Sequence, residues 1–231
     1  MSPVAFNAVV PAAGAGARMG GTTPKTYLPL AGGTVIEWAL APLLAHPGLQ
    51  RLVVALAPDD TRFAGLQAAS DARLLSVTGG ASRAASVAAG LGALGSAVDG
   101  PVLVHDGARP CLSGDEIERL LAFASDPAGA LLAVPVRDTL KRADGDGHVA
   151  ATEDRSGLWR ALTPQLFHGG TLRDALGDAT DSAITDEASA MERAGYAPRL
   201  VEGDPANIKI TRPHDLPLAE AVLAMRGGQL R

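Results

Sequence analysis

The sequence predicts an α/β fold whose mostly parallel central sheet is covered by helices on both faces. Two observations carry that expectation. Short, continuous apolar runs alternate with helix-length amphipathic segments along most of the chain, which is the pattern of βαβ units with a buried sheet. Hydrophobic residues make up 47% of the 231, ample for one large core, while aromatics are only 3%, so that core has to be built from Ala, Val and Leu.

Taken in order, Val4–Val10 is the first β-like run. Thr34–Leu44 reads as a helix. Thr34 can cap it, Val35, Trp38, Ala39 and Pro42 follow helical spacing, and His46-Pro47 ends it. Leu52–Ala57 and Ala72–Val77 are the second and third strands. Ser82–Leu94 is a helix of small residues, and Pro101–His105 a fourth strand. Ser113 or Asp115 starts the next helix, which ends near Ser125, and Ala130–Val136 is a fifth strand.

The alternation then breaks. Thr139–Leu162 is polar and turn-rich, with DGDG at Asp144–Gly147 between two strand-capable pieces. This predicts a hairpin arm projecting from the sheet at about 137–160. An arm of this size cannot bury much of itself, so a partner surface, and hence a homodimer, is expected; the alternative is a mobile surface excursion. Helical pattern returns at Gly170–Leu176 and Asp186–Ala194, Arg199–Glu202 is a short strand, and Pro213–Met225 a closing helix. With no repeat, linker or second-domain signal, residues 1–231 are expected to form one domain.

Composition narrows the function. The net charge is −5, which argues against nucleic-acid or membrane-surface binding through a broad positive field, so any anion site must be local. One cysteine, Cys111, excludes a disulfide framework and a Cys-based zinc site. No basic region precedes AAGAGA, Pro3, Asn7 and Pro11 interrupt the apolar N-terminus, and no run approaches a membrane span. The expected setting is the cytoplasm.

After the first strand comes PAAGAGARMGGTTPK, Pro11–Lys25, with four glycines, Arg18 and Lys25. A P-loop requires Gly-Lys-Ser/Thr, which does not occur, and the dinucleotide fingerprint fails because its third glycine is Met19. A third reading takes glycines and charges together. Gly14 and Gly16 let backbone N–H groups approach a phosphate, Arg18 offers a planar fork, and Lys25 a point charge. A plain βα turn with two solvated cations would account for the glycines, but not for Arg and Lys together in a net-acidic chain.

PAAGAGARMGGTTPKTYLPLAG resembles the signature loop of nucleotidyltransferases with a Rossmann-like, three-layer, GT-A-type fold. Four further segments run in the right order over nearly the whole chain: GGASRAASVAAGL, VHDGARP, DTLKR with LWRALTPQ, and TDEASAMERAG with VEGDPANIKITRPHDL. Together they resemble the 2-C-methyl-D-erythritol 4-phosphate cytidylyltransferase family of the non-mevalonate isoprenoid pathway. In some organisms that enzyme is fused to a cyclodiphosphate synthase; one domain here resembles the monofunctional form.

The resemblance implies an enzyme that joins CTP and methylerythritol phosphate, releasing pyrophosphate. Arg18 and Lys25 take the role of stabilisers on the triphosphate, and Lys209 contacts the α-phosphate. Ile208 and Ile210 are expected to face the core, so Lys209 points to a cleft or to solvent, where it could equally be a solvated charge on an edge strand. Arg155 and Thr139 match positions that hold the methylerythritol phosphate from the partner subunit; on spacing alone Arg155 could instead pair with Glu153 or Asp154. Arg109, Thr163 and Asp106 match the same pocket, with Asp106 near the sugar-alcohol or the metal, or simply capping a turn. Thr185 is the expected cap of the next helix and a further substrate candidate, whereas Asp186 and Glu187 are explained as first-turn acids that suit the helix dipole.

Ala12, Ala13, Gly80 and Ser86 match the cytosine-contacting positions; Ser86 could instead be a small packing residue. The family often carries an acid at Ala81 and Glu or Thr at Ser82, a departure that backbone readout of the base would survive. A divalent cation, Mg²⁺ first, is expected on the triphosphate, held largely by substrate oxygens, with no protein ligand assigned. His105-Asp106 also suggests an HD-type metal site, but no second His/Asp set supports it. The rival readings are a ribitol 5-phosphate cytidylyltransferase, a non-catalytic nucleotide-binding regulator and an NAD-dependent dehydrogenase, the last disfavoured by Met19 and by an Asp59 too far along to hold a ribose.

Overall fold

The computed structural model describes residues 3–14, 23–177, 184–228 and 230. In chain order the elements are β1 (Phe6–Pro11), β2 (Pro29–Leu30), β3 (Gly33–Thr34), α1 (Val35–Ala45), β4 (Leu49–Leu56), β5 (Leu74–Thr78) and α2 (Arg83–Ala93). They continue with β6 (Pro101–Val104), α3 (Gly114–Leu121), β7 (Ala130–Pro135), β8 (Leu140–Ala143), β9 (Val149–Glu153) and β10 (Trp159–His168). The chain closes with α4 (Gly169–Leu176), α5 (Glu187–Arg193), β11 (Arg199–Glu202) and α6 (Asp215–Met225).

Among the described residues, seven strands form one sheet in the order β11-β7-β10-β6-β1-β4-β5. β6, β1, β4 and β5 pair in parallel, as do β7 and β11, while β10 lies antiparallel between β6 and β7. The expected mostly parallel sheet is therefore observed. β10 is a correction. The arm was expected to run to about 160 with nothing assigned to 163–168, yet Trp159–His168 is one ten-residue strand in the middle of the sheet. Pro164 concealed it, because a proline has no N–H for a ladder and argues against a central strand. The structure accommodates it at a register break against β7 between Ala161 and Gln165, and the ladder with β6 begins only at Gln165.

Side-chain alternation along each strand divides the core into two layers. Phe6, Ala8 and Val10 of β1 pack with Leu52, Val54 and Leu103 beneath α1 and α3. Val9, Val53, Val102 and Val104 face α2, α4 and α5 instead. A third, smaller cluster joins α6 to Leu30, Val35, Trp38 and Ile210.

Helix starts follow local chemistry. Thr34 and Glu37 form a reciprocal capping box at α1, and Ser113 with Glu116 does the same at α3, which settles its start at Ser113 rather than Asp115. Ser82 caps α2 through the Ala85 N–H at 3.0 Å. The projecting hairpin is present as a separate two-stranded sheet, β8 with β9, its turn built on Asp144–Gly147.

Candidate active site

The strands that matter are parallel, so their carboxyl ends share one edge. From β1 the chain proceeds outward through β4 and β5, then returns through α2 to β6 on the other side of β1. That reversal opens a crevice where the loops after β1 and β6 diverge, the position at which open α/β sheets take their ligands. A cleft of about 440 Å³ lies there. It is lined by Ala12–Gly14 after β1, Gly80–Arg83 at the start of α2, Asp106–Ala108 after β6, Lys25, Lys209 and Thr211.

Each wall has a local cause. The β1 ladder continues one residue past the strand, with the Ala12 N–H donating to Ala55 O at 2.7 Å, and then releases the chain at Ala13 and Gly14. A Cβ at Gly14 would meet nothing within 4 Å, so this stretch borders open space. The opposite loop is tight. A Cβ at Gly80 would come within 2.4 Å of the Ala85 Cβ, so only glycine lets the loop lie against α2. Ser86 Oγ accepts from the Gly80 N–H at 3.1 Å and donates to Ser82 O at 2.9 Å. Its hydroxyl therefore braces the loop from within the cleft wall.

Lys25 sits on a single 3₁₀ turn, Lys25–Tyr27, and its Nζ donates to Ile210 O at 3.0 Å. The Tyr27 hydroxyl anchors that turn on Asp60 at 2.6 Å, and burial raises the phenol's pKa with Asp60 adding to it. Lys209 belongs to the irregular run 207–211, which is not a strand, so the edge-strand alternative is corrected. Ile210 is fully buried as expected, Ile208 only partly, and Lys209 lines the cleft.

Charge converges on Asp106. Arg83 Nε donates to its Oδ1 at 2.9 Å and Lys209 Nζ to its Oδ2 at 2.7 Å, with Arg109 Nε 3.7 Å away. Arg83 turns its other nitrogens to Glu187, Nη1 to Oε1 at 2.5 Å and Nη2 to Oε2 at 2.9 Å. Burial raises the Asp106 carboxyl's pKa, but Arg83, Lys209 and Arg109 outweigh it and hold it well below the usual carboxylate range. Burial likewise opposes the charge on Arg83, and Glu187 and Asp106 overcome it.

Beneath this layer lies a buried polar frame. Thr163 Oγ1 accepts from the Asp106 N–H at 3.0 Å and lies 3.1 Å from His105 Nδ1. His105 Nε2 faces Arg109 O at 3.1 Å, so Nε2 carries the proton and Nδ1 accepts from the threonine hydroxyl. Arg109 Nη1 donates to Asn207 O at 2.7 Å, and Asn207 Nδ2 donates to Thr163 O at 2.9 Å. Glu116, wholly buried, accepts from Asn207 Nδ2, the Asp204 N–H and the Ser113 N–H and hydroxyl.

Of the residues singled out from sequence, Ala12, Ala13, Gly14, Lys25, Gly80, Ser86, Asp106 and Lys209 meet in one cleft. Arg109 and Thr163 lie beneath it, in contact with Asp106 or its backbone. Gly16 and Arg18 lie outside the described residues. Thr139 and Arg155 are exposed on the hairpin and 3.5 Å apart, Nη1 to Oγ1. Glu153 holds Arg142 at 2.6 Å and Asp154 accepts from the Ser156 N–H, so the alternative pairing of Arg155 is not what these carboxylates do. Thr185 is exposed, with its N–H on Ser189 Oγ, and the expected cap is corrected: Asp186, whose carboxylate accepts from the Ser189 N–H, caps α5.

Asp106 is the one carboxylate among the described residues that line the cleft. Both of its oxygens are engaged by Arg83 and Lys209, so the cleft fits a Mg²⁺ held mainly by phosphate oxygens and water, with no protein ligand assigned. It does not fit an HD-type centre, because both His105 nitrogens are already engaged.

A model of the family described as "IspD: 2-C-methyl-D-erythritol 4-phosphate cytidylyltransferase" matches residues 6–225. The chain belongs to that family. A 2-C-methyl-D-erythritol 4-phosphate cytidylyltransferase of Pseudomonas fluorescens is 55% identical over 218 residues, covering 92% of this chain and 93% of that one. The one of Aeromonas hydrophila is 53% identical over 226 residues, 97% of this chain and 92% of its own. Among solved structures, a 4-diphosphocytidyl-2C-methyl-D-erythritol synthase superposes with a TM-score of 0.82 at 39% identity, over 96% of this chain and all of that one. The Thermus thermophilus cytidylyltransferase gives 0.78 at 34%, again over 96% of this chain and 100% of its own.

Two participants escaped the sequence reading. Glu187 was explained by the helix dipole, yet it is buried and pairs with Arg83 through both oxygens. Arg83 carried a usable signal. It is the first residue of α2, where the dipole disfavours a cation, so an arginine there calls for a carboxylate from elsewhere.

Proposed function

We propose that the chain transfers CMP from CTP to 2-C-methyl-D-erythritol 4-phosphate, giving 4-diphosphocytidyl-2-C-methyl-D-erythritol and pyrophosphate. The observation that carries this is one cleft, at the carboxyl edge of a sheet whose chain belongs to this family, lined by Lys25 and by Lys209, which pairs with Asp106.

The chemistry requires alignment and charge neutralisation rather than a base. A phosphate monoester has its second pKa near about 6 and is already largely ionised at pH 7. Its oxygen attacks the α-phosphorus, the bond to the bridging oxygen breaks, and pyrophosphate leaves in line. Lys25, with Arg18 from the same loop, neutralises the triphosphate; Lys209 orients the α-phosphate; Ala12, Ala13, Gly14, Gly16, Gly80 and Ser86 frame the nucleotide. A Mg²⁺ held here by substrate oxygens and water would supply positive charge to stabilise the departing pyrophosphate.

Asp106, Arg109, Thr163 and Thr185 serve the acceptor's pocket, completed in this reading by Arg155 and Thr139 of a second copy. Support for a homodimer comes from the hairpin, whose residues are mostly exposed and whose surroundings expose Val149, Leu158 and Trp159. No helix among the described residues is long and apolar enough to cross a membrane, and a cytoplasmic setting is part of this reading.

The test is pyrophosphate release with CTP and Mg²⁺, offering methylerythritol phosphate and ribitol 5-phosphate in parallel, with ATP, GTP and UTP as controls. Release with CTP and methylerythritol phosphate alone is expected. Release with ribitol 5-phosphate instead overturns the acceptor, and no release overturns the transfer.

A further inference from the structure

We propose that Glu187 and Arg83 are positioning residues for the transfer, acting through Asp106 on Lys209. This rests on the CMP transfer proposed above. Four side chains from four separate segments form one relay. Glu187 opens α5, Arg83 opens α2, Asp106 follows β6, and Lys209 lies in the irregular run before α6. Glu187 takes both terminal nitrogens of Arg83, at 2.5 and 2.9 Å. A fork-on-fork pair fixes the plane of a guanidinium as well as its place. The remaining Nε–H then has one direction, and it meets Asp106 Oδ1 at 2.9 Å. The second oxygen of that carboxylate holds Lys209 Nζ at 2.7 Å.

The start of the relay is itself held. Gln165 of β10 donates to Asp186 Oδ2 and accepts from the Ala188 N–H, both at 2.8 Å. These bonds pin the residues on either side of Glu187 to the central sheet. Glu187 is 1% exposed and Arg83 only partly accessible, so neither is a solvated surface charge.

Fold stability alone accounts poorly for the pair. Buried ion pairs are often replaceable by apolar side chains at no cost in stability. Arg83 also works against the dipole of its own helix, so α2 gains nothing from the charge. What the pair does supply is a fixed carboxylate edge for Lys209, the cation assigned to the reacting phosphorus. A misplacement of about 1 Å in such a group can cost about 10² in rate.

The experiment compares kcat and KM of wild type with those of Arg83→Met/Glu187→Met, Arg83→Lys and Glu187→Gln. Wild-type turnover tests the transfer itself, separately from the relay. Given turnover, the double methionine variant should fold with a melting temperature within about 5 °C of wild type. Its kcat should fall about 10²-fold while KM for CTP moves less than about threefold, the signature of a contact that matters only in the transition state. Arg83→Lys keeps the charge but loses the fork and should recover less than about a tenth of wild-type kcat. A double variant with kcat within about threefold of wild type, or recovery by lysine, overturns the proposal. Should the double variant not fold, Glu187→Gln, which preserves volume, decides on the same kcat criterion.

Discussion

Asp106 accepts from two cations through its side chain while its backbone N–H is held by Thr163, so one residue couples the cleft floor to its rim. Removing its charge should release Lys209 and Arg83 together. Asp106→Asn is expected to lower kcat by about 10²-fold, read by pyrophosphate release; turnover near wild type would show that the cations do not need this carboxylate. Lys25→Ala is expected to lose at least about 10² in turnover with an unchanged circular dichroism spectrum. His105 carries a prediction about acid. Burial pushes its imidazole down to about 4 from 6.5, despite the neighbouring Asp106. Between those values the unfolded chain binds the proton that the folded chain refuses. Stability is therefore present above pH 6.5 and lost as pH falls towards 4, a swing of order 3 kcal/mol. The His105 ring resonances should not titrate between pH 7 and 5; a midpoint near 6.5 would sink this account. At this scale Lys25 was legible because it clusters with Arg18 in a glycine-rich loop of a net-acidic chain, whereas Lys209 was legible only through the family resemblance. Glu187 was not, because an acid in a first helical turn has a sufficient local explanation and its partner lies 104 residues away.

Helix α2 shows how an element positions the cleft. Its Ser82 cap and Ser86 brace hold the Gly79–Ser82 loop, and its middle presses on β1 through Gly90, where an added Cβ would come within 2.4 Å of Val9 Cγ1. Glycine to alanine inside a helix ordinarily gains up to about 1 kcal/mol. Here overpacking against a fully buried valine costs about 1–3 kcal/mol, so packing wins. Gly90→Ala should lower the urea midpoint; a raised midpoint would show that α2 can shift away from β1. The other elements were legible to the extent that their signals were local. Apolar runs gave β1, β4, β6 and β7, and capping residues gave α1, α2 and α3. The strand β10 was hidden because its proline is tolerated only through a ladder break made by two neighbouring strands, which a single sequence does not display.

The molecule as a whole divides into a covered sheet and an uncovered hairpin. Among the described residues the β8–β9 pair is mostly exposed, and Thr139 and Arg155 flank its two strands at the base of the hairpin rather than lining the cleft. If two copies exchange these residues, Arg155→Ala and Lys25→Ala proteins, each impaired, should recover part of the wild-type turnover on mixing, because one mixed site escapes both changes. No recovery despite confirmed subunit exchange would confine each site to a single chain. The arm was legible from its DGDG turn and polar composition; the surface it would meet was not, because contacts with a second copy leave no periodic signature.

The placement of the two tryptophans gives this architecture an optical readout. Trp38 is 5% exposed, donates its indole N–H to Leu30 O and packs with α6, whereas Trp159 stands at the foot of the hairpin, 37% exposed. Emission from the first belongs to the docking of the C-terminal helix, and emission from the second to whatever covers the hairpin's base. Trp38→Phe would therefore leave a protein whose remaining fluorescence shifts to the red on dilution if copies associate there, and stays constant if they do not.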